Sequence, residues 1–241
     1  MNRIYFFIVL ERRTRMSHET KDKQYQPIVL PRNKRYGNNY WNARGPKVGL
    51  RDIILYSDLE FDHWLQIETD WRVSTYCEQP LEITYICNGK RYTSIFDMWT
   101  HSNHGKITFI EVKYEAELSP DHSKYERTMR QIEAQREWCK LEGVHHEVRT
   151  EKQIRPNRFR NQNQVKIIST ISNEKKPNYL DQILDKVTER TSISGITDEM
   201  RSKFTTLDIQ LACHWLYYEG KIDANLDMQI WSNDMEVWRI E

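Results

Sequence analysis

The sequence predicts a mixed α/β fold, and three observations predict it. Short apolar runs bounded by turn residues, at 73–77, 81–87, 107–110 and 144–148, read as strands. Asn88-Gly89 separates 81–87 from Lys90-Arg91-Tyr92, a strong signal for a two-residue hairpin turn. After Ser119-Pro120-Asp121, a helix start with proline in the first turn, Tyr125, Met129, Ile132 and Arg136 fall at helical spacing. That helix is expected to run to Leu141 or Glu142 and to pack this face on the sheet. Gly143 suits its left-handed C-terminal cap.

Taken in order, the chain of 241 residues is long enough for one large or two small domains. The apolar run at 4–10 is too short to span a bilayer and lacks a small-residue cleavage site, so neither a membrane span nor a signal peptide is expected. Met16 is an alternative start, which would make 1–15 an upstream extension. The cysteines, Cys77, Cys87, Cys139 and Cys213, form no C-x-x-C pair. Neither a zinc site nor a disulfide framework follows, and a reducing cytoplasm fits.

Charge is unevenly placed. Residues 1–52 hold 12 Lys/Arg against 4 Asp/Glu, a net of +8, while the whole chain carries +1. This basic arm interleaves Arg32, Lys34, Arg35, Arg44 and Lys47 with Tyr36, Tyr40 and Trp41. Cations suit phosphate contact and rings suit stacking, so the arm is the expected DNA-binding segment. A solvated arm with no partner is the competing reading.

Ser57-Asp58-Leu59-Glu60 opens a helix, with Leu59, Trp64, Leu65 and Ile67 as apolar positions. Ser57 and Glu60 have the spacing of a capping box. Glu60 either serves that cap or points toward a site further along; spacing leaves both open.

The most informative stretch is 92–113. Asp97 lies in one apolar, aromatic run, and Glu111-Val112-Lys113 ends a second. The polar turn 101–106 joins them into a β-hairpin. Mg²⁺ takes oxygen ligands, one or two of them carboxylates, with waters and substrate phosphates. Asp97 and Glu111 would supply those carboxylates. Alternation along a strand puts Glu111 and Lys113 on one face, with Val112 turned to the core. Lys113 can then stabilise charge developing on a phosphate. Acid, acid and lysine so placed is what a metal-dependent nuclease needs. A solvated sheet face also produces E-x-K by chance, so the Asp97 partner carries weight.

Glu60 on a first helix, Glu78-Gln79-Pro80 before a strand, the Tyr92 to Asp97 run and Glu111-Val112-Lys113 resemble, in that order, the TnsA endonuclease family of heteromeric, Tn-seven-type transposases. Thr150-Glu151 is similar to that family's strand-end T-E. The resemblance spans about 47–155. Ser94-Ile95 departs from the P-D-F-like segment common in the family, and Asp97, the only carboxylate on that strand, takes the first-ligand position.

The resemblance implies a restriction-endonuclease-like (PD-(D/E)xK) fold with Glu60, Asp97, Glu111 and Lys113 catalytic. It implies Mg²⁺, with Mn²⁺ substituting, at Asp97, Glu111, Glu60 and Val112. It further implies a DNA endonuclease that nicks the 5′ ends of a transposon. A DDE-type transposase subunit would be its partner, and its C-terminal region would engage an AAA+ ATPase regulator. Location would be cytoplasmic and bacterial, nucleoid-associated when acting on DNA.

His145 and His146 are adjacent, face opposite ways on a strand and are not expected to share a metal. The expected boundaries are a basic arm at 1–46, a catalytic domain at 47–152, a polar linker at 153–177 and a terminal domain at 178–241. In that last segment 179–189 and 207–218 read as helices, and 221–226 and 235–240 as strands around the turn 232–234. Helices followed by a hairpin suggest a winged-helix fold. Yet 206–241 holds 2 Lys/Arg against 7 Asp/Glu, a net of −5 that repels phosphate, so a protein-docking role is favoured. Two other readings stay open: a stand-alone restriction- or repair-type nuclease, and a non-catalytic DNA-binding adaptor.

Overall fold

The computed structural model describes residues 25–30 and 39–240, together with the backbone of 6–9. Met16, Arg32, Lys34 and Arg35 lie outside the described residues. The chain divides into two compact units. The first comprises Met1–Asn42, Ile53–Phe61 and Ser74–Ile154; the second comprises Ala43–Asp52, Asp62–Val73 and Arg155–Glu241. As the alternating apolar and helical patterns predict, the fold is mixed α/β with several sheets.

In the first unit β1 (Phe6–Val9), β5 (Glu82–Cys87) and β6 (Lys90–Ile95) form an antiparallel sheet in the order β1-β5-β6. The β5–β6 hairpin turns at Asn88 (φ 50°) and Gly89 (φ 74°), with Cys87 opposite Lys90. Both turn residues take positive φ, which is why Asn-Gly is found there.

A second sheet has the order β4-β7-β8-β9, from β4 (Val73–Glu78), β7 (Met98–Ser102), β8 (Ile107–Val112) and β9 (His145–Arg149). β7 and β8 pair antiparallel, Met98 with Ile110, and β8 and β9 pair parallel, Glu111 with Val148. Every residue of β8 is buried. A strand covered on both faces reads as a continuous apolar run rather than an alternating one. Glu111 is the one charge in it.

Helix α2 (Tyr125–Glu142) supplies the crossover between the parallel strands β8 and β9. It starts later than the proline at 120 suggests. A 3-10 turn at Glu115–Leu118 and two further turns, at His122 and Tyr125, come first. Gly143 closes it at φ 68°, as expected. The buried face is Thr128, Ile132, Ala134, Gln135 and Cys139. Ile132 is on it as predicted, but Arg136 is exposed. The hydrophobic period alone did not reveal that a glutamine holds a core position. Phe96, Phe109 and Trp138 cluster with ring centroids 4.8–5.5 Å apart and anchor this core.

The β2 (Trp41–Gly45) and β3 (Arg51–Leu55) ribbon turns through Pro46–Val48, and α1 (Asp58–Thr69) follows it. The second unit continues beyond the short α3 (Glu151–Ile154), which ends the first. Residues 153–177, expected as a linker, contain α4 (Arg158–Asn173), whose Ile167, Ile168 and Ile171 are buried. Its polar composition hid a helix whose apolar residues cluster in the last turns. Asn157 caps it, accepting from the N–H groups of Phe159 and Arg160.

Then come α5 (Leu180–Leu184), β10 (Thr191–Ser192), α6 (Ile193–Met200), α7 (Thr206–Tyr218), β11 (Ile222–Ala224) and β12 (Glu236–Arg239). The three strands pair antiparallel in the order β10-β12-β11. A capping box, Thr205 with Asp208, starts α7, and Gly220 at φ 68° follows it. Ile167, Ile183, Ile196, Ile209, Trp231 and Val237 are among the residues of this unit's core.

Candidate active site

Asp97 lies one residue before β7. Its own N–H donates to the Ile110 carbonyl (3.1 Å), and its carbonyl accepts from Gln79 N–H (3.0 Å). The β7–β8 register ends with Met98 opposite Ile110, and Asp97, one residue before it, sets its N–H on that same Ile110. Asp97 Oδ2 accepts from the Val112 N–H at 2.7 Å. Asp97 thus occupies the bend after β6 rather than the strand itself, and that bond to Val112 holds it where the charge of Glu111 acts on it.

Glu111 is fully buried. Its Oε1 accepts from Gln131 Nε2 at 2.6 Å and from the Lys113 ammonium; its Oε2 accepts from Gln135 Nε2 at 2.6 Å. Lys113 Nζ also donates to the Val112 carbonyl at 3.3 Å. Lys113 N–H continues the sheet by donating to the Arg149 carbonyl at 3.0 Å.

Burial opposes the charge on Lys113, but the carboxylates of Glu111 and Asp97 outweigh it and hold its pKa above the ordinary lysine value. Lys113 is therefore an ammonium at neutral pH. Asp97 is pushed well above the usual carboxylate range, first by burial and then by the charge of Glu111. Glu60 is also raised, chiefly by burial, with Lys113 pulling it down and Glu111 pushing it up.

Glu60 meets the capping expectation. Its N–H donates to Ser57 Oγ (3.1 Å), and Ser57 Oγ donates to its Oε1 (3.0 Å), as a helix cap requires. Its Oε2 accepts from the Tyr56 N–H and from Gln79 Nε2, both at 3.2 Å. The charges of Lys113 and Glu111 both act on it. Gln79 bonds Asp97 through its backbone and Glu60 through its side chain, and it holds φ 38° although it is not glycine. Strained backbone of this kind gathers at functional sites. The sequence singled out Glu78-Gln79-Pro80 without revealing this joint role.

Among the described residues, no three His, Cys, Asp or Glu side chains are gathered as a metal cage. Magnesium does not ask for one, since waters and phosphate complete its shell. The donor chemistry fits a hard cation at the paired carboxylates. Asp97 and Glu111 crowd negative charge out of water, and Glu111 Oε1 and the Val112 carbonyl already converge on a cation, the Lys113 ammonium.

Residues 70–151 match the family model for the TnsA-like endonuclease N terminal. Over that segment the chain is similar to TnsA-like endonucleases. The match contains Gln79, Asp97, Glu111, Lys113 and Gln135, and it begins after Glu60. No curated protein matches the chain. At the end of the matched segment Thr150 and Glu151 do structural work: Thr150 N–H and Oγ both donate to Gln153 Oε1 at 2.8 Å, and Glu151 Oε2 accepts from the Glu115 N–H at 2.7 Å.

The residues expected to bind DNA separate. Arg44 is exposed on β2. Lys47 departs from the expectation: its ammonium donates to the Ile67 carbonyl (3.1 Å) and to that of Asp70, at the C-terminal end of α1. Burial lowers its pKa to about 8 against the pull of Glu68 and Asp70. It serves the helix end, where carbonyls lack partners and a cation is favoured. Trp41, expected to stack on bases, stacks on Phe61 (4.1 Å, 14°), and its Nε1 donates to Asp58 Oδ1 at 2.8 Å. His145 is exposed, and His146 is partly buried beside Gln135, so the pair faces opposite ways. No helix among the described residues is long and apolar enough to cross a membrane.

Proposed function

We propose that this chain is the metal-dependent endonuclease subunit of a transposase, nicking the 5′ ends of its transposon during cut-and-paste transposition. The observation that carries the reading is the Asp97, Glu111 and Lys113 cluster inside the TnsA-like segment. Asp97 and Glu111, with the Val112 carbonyl, would hold Mg²⁺ or Mn²⁺, and Glu60 would add negative potential beside them. When bound, the ion supplies positive charge to phosphate oxygens and acidifies water. Lys113, held protonated, acts as a hydrogen-bond donor to charge developing on the phosphate, not as a base. Burial of Glu111 and its donors keeps that carboxylate in one orientation.

The first unit would have the restriction-endonuclease-like fold. The second, with helices before and between β10, β11 and β12 in the order β10-β12-β11, would be a winged-helix domain. The acidic character of residues 206–241 supports a protein partner: an AAA+ ATPase regulator, beside a DDE-type transposase subunit. The basic arm, through Arg32, Lys34, Arg35 and Arg44, would hold the transposon-end DNA at the nucleoid.

The test is strand-specific cleavage of labelled transposon-end DNA with Mg²⁺ and the partner transposase. A 5′-end nick that needs Mg²⁺, the partner and Asp97 supports the reading. Cutting without the partner would make the chain a stand-alone nuclease. DNA binding with no cutting under any of these conditions would make it an adaptor. Replacing Arg32, Lys34 and Arg35 by alanine should weaken DNA binding and flatten its salt dependence, by a slope of roughly one for each phosphate no longer neutralised.

A further inference from the structure

Helix α2 presents two glutamines one turn apart, Gln131 and Gln135, to the same carboxylate. Gln131 reaches Glu111 Oε1 and Gln135 reaches Glu111 Oε2, each at 2.6 Å. Residues four apart on a helix lie on one face, so one rigid element grips both oxygens. Gln135 is fully buried. A buried amide that lacks partners is costly, and this one is satisfied at both ends. Its nitrogen donates to Glu111 and to Ser94 Oγ on β6 (3.0 Å), which commits both hydrogens. Its oxygen must then accept, and the neighbour is His146 Nε2 on β9 at 3.2 Å.

That inventory assigns the proton. His146 donates from Nε2, so the imidazole is locked in one tautomer. Burial, helped by Arg136, lowers its pKa to about 4, so it stays neutral in this role. The amide of Gln135 cannot flip without setting its oxygen against the Glu111 carboxylate. Three elements around Glu111, namely β6 through Ser94, α2 through Gln135 and β9 through His146, thereby fix the direction of one carboxylate.

We infer that Gln135 is a positioning residue for Glu111, held in orientation by His146 and Ser94 and seconded by Gln131, and that this grip presets the carboxylate for a divalent cation. The inference rests on the reading of Glu111 as a metal ligand. Groups that hydrogen-bond a ligating carboxylate typically change metal affinity or activity by about 10–100-fold when removed. Neither glutamine touches substrate or metal in this account; both act through Glu111.

The test is Mn²⁺ titration by calorimetry on the full chain, without DNA, for wild type, Gln135→Met, Gln131→Met, His146→Ala and the Gln135→Met/His146→Ala double variant. Gln135→Met should weaken Mn²⁺ binding by about 10–100-fold. His146→Ala should weaken it less, and should add nothing once Gln135 is gone, because its effect passes through that amide. A merely structural role would give additive losses and would lower the metal-free melting temperature without moving the Mn²⁺ affinity. Gln131→Met, at a half-exposed position, serves if Gln135→Met does not fold, and should weaken binding in the same direction. Wild-type binding with unchanged affinity in the folded glutamine variants overturns this inference and leaves the metal site standing. Absence of Mn²⁺ binding in wild type overturns the metal reading itself, and the inference with it.

Discussion

The backbone N–H of Val112 donates to Asp97 Oδ2 at 2.7 Å. The acid that precedes β7 is thereby tied to the backbone between Glu111 and Lys113. One hydrogen bond joins the two halves of the hairpin motif. It also concentrates two carboxylates beside one ammonium, and several measurable properties follow from that imbalance.

Adding Mg²⁺ or Mn²⁺ should raise the melting temperature, because a ligand bound to the folded state stabilises it by mass action. The gain is about 2.7 kcal/mol at a roughly hundredfold excess over the dissociation constant. Asp97→Ala should abolish it. Equal metal-induced shifts in the two proteins, measured by calorimetry, would remove Asp97 from the site.

The metal-free protein should be sensitive to alkali in a defined direction. Burial, and then Glu111, raise the Asp97 carboxyl well above its ordinary 3.8. A raised carboxyl contributes stability that is fully present below 3.8 and is lost as pH climbs through the raised folded value. Glu60, also raised, adds a loss of the same sign. Asp97→Asn stays neutral and should escape its share. In EDTA, the melting temperature of Asp97→Asn relative to wild type should rise as pH climbs above the ordinary carboxyl value of 3.8. A difference that stays flat, or that falls, as pH rises contradicts the charge assignment.

Lys113→Ala should cut strand cleavage by roughly 10²–10³-fold, the usual loss when a donor to developing charge is removed. It should also destabilise the metal-free protein, because it strips the cation from a buried carboxylate. Breaking a buried pair costs about 3–5 kcal/mol, and the two glutamine donors to Glu111 favour the lower end. Metal should recover most of that stability but none of the cleavage. A variant that still nicks at near the wild-type rate would make Lys113 a bystander.

Ile167→Ala should cost about 2–5 kcal/mol, the range for a buried large-to-small change. Ile167 is fully buried in the core of the second unit. Denaturant unfolding of the full chain reads the cost directly. A linker residue would show a change within about 0.5 kcal/mol.

The candidate site was legible in the sequence where covalent spacing decides geometry. Strand alternation is enough to keep Lys113 with Glu111, a short turn is enough to return the chain past Asp97, and Asn88-Gly89 announces its hairpin through positive φ. The capping pair Ser57 and Glu60 was likewise readable, being only three residues apart. Local signals misled where residue type was taken as destiny. Lys47 in a basic arm became a helix-end cation, Trp41 became a packing ring, and polar residues 153–177 concealed α4.

What the sequence determined by itself is the set of groups and their neighbours along the chain: two acids, a lysine, a cap and the mixed α/β pattern. Tertiary structure alone decided what surrounds them. Gln131 and Gln135 stand 20 and 24 residues from Glu111, and His146 stands 11 from Gln135, so no periodicity links them. They meet because α2 must cross from β8 to the parallel strand β9. Burying Glu111 on the central strand then demands hydrogen-bond donors, and that helix face supplies them.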